Sequence, residues 1–405
     1  MTTYLFTGAA EIVTCAAGAT DASVIRDGAV LVEADRIRAV GPAGALEAAH
    51  AGATRVDCAG TVITPGFVDS HTHAVFGGWR AAEYGMRCSG VPYMEIARRG
   101  GGINASVRDV RARTLDELTA TTRERLHVLL RHGTTTVEVK SGYGLDTESE
   151  LKQLRAVAAL HGDVPMTIVP TFLGAHEFPP EYREQRDRYV DIVVNEMIPA
   201  VAAERLAVFC DVFMEPGVFT ADQTRRVLRA GREHGLLPKL HADELENSGA
   251  AEVAVEVGAV SADHLGAVSD AGIAALAGSD TVATLLPATL LFLGRTGYAP
   301  ARRLIDAGAT VALATDFNPG SSPTPSMPLV LTLACSLMGM SPLEAIVAAT
   351  AGGARALRLD DGTGTIAPGA PADLLVWDVA DHRELPYRFG APPLRGVWKS
   401  GARVV

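Results

Sequence analysis

The pattern of apolar and polar positions changes twice along the chain. From residue 1 to about 60 the two alternate in short runs broken by turns, and AVLVEADRIRAVG (29–41) reads as two strands around a polar turn. The same texture returns beyond 363, in GTIAPGAPADLLVWDV and GVWKSGARVV. Between these ends, short β-branched runs alternate with stretches of helical period, as βα units around a parallel sheet do. Eight runs predict strands, at 61–70, 134–140, 166–174, 207–215, 237–243, 259–265, 281–287 and 310–316. TLDELTATTRERLHVLLRHG and TADQTRRVLRAGREHG predict two of the helices between them, each stopped by a glycine. Eight such units predict a closed (β/α)8 barrel rather than an open sheet. The two β-rich ends predict one composite β domain, 1–60 plus 361–405, beside a barrel domain over 61–360.

Composition narrows the functional classes. Hydrophobic residues make up 48% of the 405 and charged residues 20%, which excludes a disordered chain. Asp plus Glu is 47 against 36 for Lys plus Arg, a net charge of −11 with no basic run, which excludes a nucleic-acid binder of the usual electrostatic kind. Five scattered cysteines without a CxxC pair predict buried thiols in a reducing compartment. The first basic residue is Arg26, so no secretory leader is expected. No apolar run reaches the roughly 20 residues of a membrane span. These features predict a soluble, cytoplasmic protein with no membrane partner.

Candidate chemistry lies where the predicted strands end, which is where barrels place their active sites. His71, His73, Lys140, His176, Glu215, His241, His264 and Asp316 all stand at or just beyond a strand end, five of them among the 11 histidines of the chain. In Asp69-Ser70-His71-Thr72-His73 the two imidazoles are spaced i, i+2, so an extended segment points both the same way, toward one metal ion. His241, His264 and Asp316 on later strands extend the set, and neutral imidazoles with a carboxylate suit zinc or iron. Glu244, three residues past His241, either faces the reacting centre or sits as a charge at a helix N-terminus. Asp263 is placed to orient His264, which is a metal ligand or a proton carrier. In Asp316-Phe317-Asn318-Pro319-Gly320-Ser321 a side-chain amide and free backbone groups follow the last strand, offered to a substrate. Tyr143 rides on the KSGYG loop (140–144) over the mouth; Gly100–Gly102 predicts a mobile lid or a tight turn, and Arg108, Arg111 and Arg113 a solvated face.

These motifs resemble the amidohydrolase superfamily. DSHTHAVFGGWRAAEY (69–84), GGGI (100–103), TTVEVKSGYGLD (135–146), TFLGAHEFPPEY (171–182), HADE (241–244), SADHL (261–265), LATDFNPGSSPTPSM (313–327) and ADLLVWD (372–378) carry the resemblance across nearly the whole chain. KSGYG, FLGAH and DFNPGSSPT point to the branch that opens a cyclic amide of histidine degradation. The resemblance implies a distorted (β/α)8 barrel with a β-sandwich built from both termini. It implies one metal ion per subunit, divalent or trivalent, zinc or iron, held by His71, His73, His241 and Asp316. Arg80, Tyr143, His176, Glu244, Asn318, Gly320 and Ser321 would bind the substrate, 4-imidazolone-5-propanoate, which water opens to N-formimidoyl-L-glutamate. A homodimer is also implied. Many superfamily members bridge two metals with a carboxylated lysine on the fourth strand; here Glu215 ends the fourth strand and Lys140 the second, which predicts one metal.

The expected chemistry divides among these residues. The proton of the attacking water goes to His264 and Asp316 or, alternatively, to Glu244; Glu244 also passes a proton to the leaving nitrogen, and Arg80 pairs with the propionate tail. His176 and Tyr143 fix the ring or stabilise the developing oxyanion. The competing expectations are an aminohydrolase acting on an exocyclic amine and a non-catalytic barrel; the second is disfavoured by the complete ligand set.

Overall fold

The structure is a computed structural model that describes residues 3–91, 95, 100–389 and 393–405. Its first strands are β1 (Thr3–Val13), β2 (Val24–Glu33), β3 (Arg36–Pro42), β4 (Thr54–Asp57) and β5 (Val62–Pro65). The barrel follows with β6 (Phe67–Asp69), β7 (Thr134–Lys140), β8 (Thr167–Ala175), β9 (Phe209–Met214), β10 (Leu237–Ala242), β11 (Ser261–His264), β12 (Val282–Leu285) and β13 (Val311–Leu313). The chain ends in β14 (Leu374–Trp377), β15 (Leu394–Lys399) and β16 (Ala402–Arg403).

Two eight-stranded sheets result. One runs β16-β15-β14-β5-β1-β2-β3, with β4 also on β1, so β14 from the C-terminal stretch pairs antiparallel with β5 from the N-terminal one. Period-two alternation gives this sheet two apolar faces. Leu374 and Val376 join Phe6, Ile12, Ile63 and Trp398 in the sheet's own core. Leu375 and Trp377 turn the other way into the barrel's core, where Trp377 meets Phe67 with ring centroids 5.8 Å apart.

The second sheet is parallel throughout, in the order β6 to β13. Its ends meet through a parallel bridge between Thr72 and Phe317, where His73 N–H donates to Phe317 O (2.9 Å) and Asp316 N–H to His71 O (3.0 Å). Asp69 adds a side-chain closure, accepting from Thr315 N–H (3.0 Å) and Thr315 Oγ1 (2.6 Å). The barrel is therefore closed by the same segments that carry His71, His73 and Asp316.

The expected strand 61–70 is two strands in two sheets. Gly66 N–H donates to Asp373 O in the terminal sheet, and Phe67 N–H to Gly133 O in the barrel, so the crossing takes two residues. Gly66 is needed there, since a Cβ would overlap the Thr135 side chain. Residues on both sides of the crossing are buried, so the apolar run hides the change of sheet. The two expected helices form over Leu115–Arg131 and Ala221–Glu233, each opened by a capping box, Thr114 with Glu117 and Thr220 with Gln223. No helix among the described residues is long and apolar enough to cross a membrane.

Candidate metal centre and substrate cavity

The candidate ligands converge at the C-terminal ends of β6, β10, β11 and β13. His71 and His73 follow β6 in extended chain, held by the Thr72–Phe317 bridge, and their rings stand 5.3 Å apart. Asp243, His264 and Asp316 have positive φ (48°, 81° and 53°), so β10, β11 and β13 each end in an abrupt bend. Non-glycine residues adopt this region at a cost and collect at functional sites. His73 Nε2 lies 3.4 Å from His241 Nε2 and 3.5 Å from Asp316 Oδ1, and His71 Nε2 lies 3.7 Å from Asp316 Oδ1.

The donor set fits a metal ion. His71, His73 and Asp316 bring one ligand atom each within 4.8 Å of one another, as do His71, His241 and His264. All five residues are buried, and His71 Nε2 and His264 Nε2 have no hydrogen-bond partner. Burial, with the surrounding cationic groups, holds His71, His73 and His264 well below the usual imidazole range, so they are unprotonated. Two carboxylates fix the ring tautomers. Asp263 Oδ2 lies 2.6 Å from His71 Nδ1, and Asp211 Oδ1 lies 3.1 Å from His241 Nδ1. With Nδ1–H donated to a carboxylate, the Nε2 lone pair is left for an ion. Asp263 thus serves His71 rather than the expected His264, because neighbours along a strand face opposite ways. Burial raises Asp316 to about 6, and its Oδ2 accepts from Thr289 Oγ1 (2.6 Å).

A cavity of about 340 Å³ opens over this centre. Every residue assigned above to catalysis, substrate or metal lines it except His71, which is fully buried. His176 donates Nδ1–H to Gly142 O (2.9 Å) and stacks on His73 at 5.1 Å; burial pushes it down to about 3, so it is neutral with its other nitrogen free. Tyr143 is buried in the cavity wall, and its loop is held from several sides. The Glu150 carboxylate accepts from Gly142, Gly144 and Leu145 N–H at 3.0, 2.7 and 2.9 Å. Gln153 ties Tyr143 N–H (3.1 Å) to Val75 O (2.7 Å), joining this loop to the one after His73. Arg111 braces it from outside through Gly144 O, Leu145 O, Asp146 and Glu181, so it is not part of a free solvated face.

Arg80 and Asn318 meet partners that sequence did not suggest. Arg80 Nε and Nη2 both lie 3.0 Å from Glu83 Oε2, and Glu83 also accepts from Gly102 N–H, which makes the glycine run a turn into the helix Ile103–Ala112. The guanidinium rests over Gly320, where any Cβ would overlap it. The Asn318 amide is engaged within its own loop: Oδ1 accepts from Gly320 and Ser321 N–H (both 2.8 Å), and Nδ2 donates to Asp316 O (2.6 Å). It shapes the cavity wall rather than offering a free amide.

Glu244 stands in a loop before the helix Ala250–Glu256, not in a helical first turn, which removes the helix-charge alternative. Its side chain is 12% exposed, with Oε2 3.7 Å from His264 Nε2, and burial followed by Asp316 and Glu215 pushes its carboxyl up to about 8. Glu215 holds this loop, accepting from Glu244 (3.1 Å), Leu245 (3.1 Å) and Glu246 (2.7 Å) N–H. Strand-end position marked Glu215 but gave it no role. Arg87 and Arg295 also line the cavity and lie in segments with no strand-end signal.

The amidohydrolase family model matches residues 62–404, and an imidazolonepropionase-like composite domain of bacteria matches 28–53. The imidazolonepropionase of Brevibacillus brevis is 48% identical, over 95% of this chain and 91% of its own; that of Geobacillus kaustophilus is 48% identical, over 95% and 92%. The imidazolonepropionase of Symbiobacterium thermophilum is 47% identical over 99% and 97%. Among solved structures, an adenosine deaminase from Xanthomonas campestris with bound zinc superposes with a TM-score of 0.73 at 21% identity, over 99% of this chain and 92% of the other. A triazine hydrolase variant gives 0.71 at 17% identity, over 100% and 95%. These two likenesses are of fold.

Proposed function

The chain belongs to the amidohydrolase family, and from that premise we propose that it catalyses the imidazolonepropionase reaction, the hydrolytic opening of 4-imidazolone-5-propanoate to N-formimidoyl-L-glutamate in L-histidine degradation. It is a hydrolase of cyclic amide C–N bonds. The observation that carries the reading is that one cavity gathers the histidine–aspartate centre, a cation for a carboxylate and a protonated glutamic acid, in a chain 47–48% identical to imidazolonepropionases along nearly its whole length.

His71, His73, His241 and Asp316 would hold one ion, zinc or iron, both suited to imidazole and carboxylate donors. Such an ion, when bound, polarises a carbonyl oxygen and lowers the pKa of a coordinated water from about 15.7 toward 7. Arg80 binds the propionate through the guanidinium edge that Glu83 leaves free. His176 and Tyr143 flank the ring; His176 presents its free nitrogen, and Tyr143 keeps its proton because burial raises its pKa. His264 and Asp316 take the proton of the attacking water. Glu244, protonated at rest, hydrogen-bonds a ring nitrogen and delivers its proton as the bond between the carbonyl carbon and that nitrogen breaks. The carbonyl carbon becomes a carboxylate, and the nitrogen departs on the formimidoyl group. Five free cysteines support a reducing, cytoplasmic setting, and the resemblance supports a homodimer, checked by sedimentation.

Freshly prepared imidazolonepropionate should lose its ring absorbance on addition of the metal-loaded protein, with no ammonia released. Stoichiometric ammonia would instead identify an aminohydrolase, and no change with a fully metallated chain would overturn both.

A further inference from the structure

Beneath the candidate ligands, inside the barrel, five fully buried charged side chains form one linked cluster: Glu138 and Lys140 on β7, Asp211 on β9, Lys239 on β10 and Asp263 on β11. None of them lines the substrate cavity, and the proposed chemistry uses none of them directly. Glu138 and Lys140 are spaced i, i+2 and both point into the barrel. Lys140 Nζ lies 2.7 Å from Asp211 Oδ2, 2.8 Å from Glu138 Oε1 and 3.7 Å from Asp263 Oδ2. Lys239 Nζ donates to Ser70 O (3.0 Å) and stands 3.2 Å from Glu138 Oε1 and 3.9 Å from Asp263 Oδ2. Among the described residues, Lys140 is therefore the cation that faces both carboxylates holding the imidazoles, Asp263 on His71 and Asp211 on His241.

This placement is not what stability alone asks for. A buried ionic cluster is often replaceable by apolar side chains without loss, because desolvation offsets the attraction. Outer carboxylates on metal-bound histidines, by contrast, fix ring orientation and raise ligand basicity, and changing them weakens metal binding. We infer that Lys140 is a positioning residue for the metal centre: one ammonium sets two carboxylates, which in turn aim the Nε2 atoms of His71 and His241 at a single ion. Burial opposes the ammonium charge, but Asp211, Glu138 and Asp263 outweigh it, so Lys140 stays a cation. The inference rests on reading His71 and His241 as ligands.

The test uses the full-length chain stripped of metal and titrated with zinc against a chromophoric chelator, with the metal-free melting temperature recorded alongside. Lys140→Met keeps the length of the stem and removes the charge; Asp263→Asn keeps the shape of the carboxylate and removes its charge. Each is expected to weaken zinc binding about 10- to 100-fold. Zinc affinity within threefold of the parent in a folded Lys140→Met chain, whatever its melting temperature, overturns the inference and leaves Lys140 a structural cation. If Lys140→Met does not fold, Asp263→Asn decides by the same threshold. His71→Ala separates the two layers of the argument. Parent-like zinc affinity in that variant would sink the ligand reading itself. Loss of zinc there, with Lys140→Met and Asp263→Asn unaffected, would sink only the positioning role.

Discussion

The Glu244 carboxyl, pushed up to about 8 by burial and by Asp316 and Glu215, carries its proton at neutral pH. As a proton donor it should keep the rate high below that value and lose it as the pH rises through 8. Glu244→Gln preserves shape but cannot deliver a proton, so kcat is expected to fall about 10²–10⁴-fold while metal content stays at the parent level. The alkaline limb of the pH–rate profile should go with it; a variant within threefold of the parent with that limb intact would leave Glu244 only a positioning role. Stability follows pH in the same direction. A carboxyl whose folded pKa is raised contributes stability that is full below the ordinary carboxyl range and is lost as the pH climbs through the folded value. The melting temperature of Glu244→Gln should therefore gain on the parent between pH 5 and 9. Gly320 gives a second residue-level test. A methyl group there would overlap the Arg80 guanidinium, the movable end of a long side chain, rather than backbone. Gly320→Ala should raise KM about 10-fold or more, the value of a charge-assisted hydrogen bond, with kcat, metal content and melting temperature little changed. An unchanged KM would place the propionate elsewhere.

Elements set what sequence reading can reach. Seven of the eight expected barrel strands form near their predicted places because each is a short β-branched or apolar run, and all but β12 have a polar residue at their end or within two residues of it. The eighth, 61–70, conceals a change of sheet that periodicity cannot register, since both halves are buried. His71, His73, His241, His264 and Asp316 were legible by the same strand-end logic. Their supports were less so. Asp263 was marked, but for its neighbour His264 rather than for His71; Asp211 lies within a strand and Gln153 within a helix, and each acts on a segment far away in sequence, so no local pattern reports those contacts. Glu215 shows what this hidden layer does. It stands just past β9 and holds three consecutive backbone N–H groups of the loop that presents Glu244. Glu215→Ala should release that loop, lowering kcat about 10- to 100-fold through misplacement of Glu244. Losing the acceptor should cost about 1–3 kcal/mol in denaturant unfolding, and metal content should be unchanged. Unfolding at the parent midpoint together with the parent rate would show that the loop holds its shape without Glu215.

At the scale of the molecule, barrel closure and the candidate metal centre occupy the same seam. His71 and His73 come from the first strand, His241 from the fifth and Asp316 from the last, and among the described residues the first and last strands are joined by the short bridge at Thr72 and Phe317 and by the Asp69–Thr315 bonds. An ion joined to all four residues would fasten the seam that the backbone leaves weakest, and it would do so in the folded chain alone, because the ligands are scattered over some 245 residues of sequence, from His71 to Asp316. Binding to the folded state stabilises by RT ln(1 + [L]/Kd), about 2.7 kcal/mol when free metal is 100 times Kd. Chelation should therefore lower the melting temperature by several degrees, and adding zinc back should restore it in proportion to the logarithm of its free concentration. In His73→Ala the same titration should be shallow, since one of three imidazoles is gone and the remaining ligands compete poorly with water and buffer. A melting temperature indifferent to metal in the parent chain would mean that the seam is closed by its hydrogen bonds alone and that the centre binds its ion too weakly to couple to the fold.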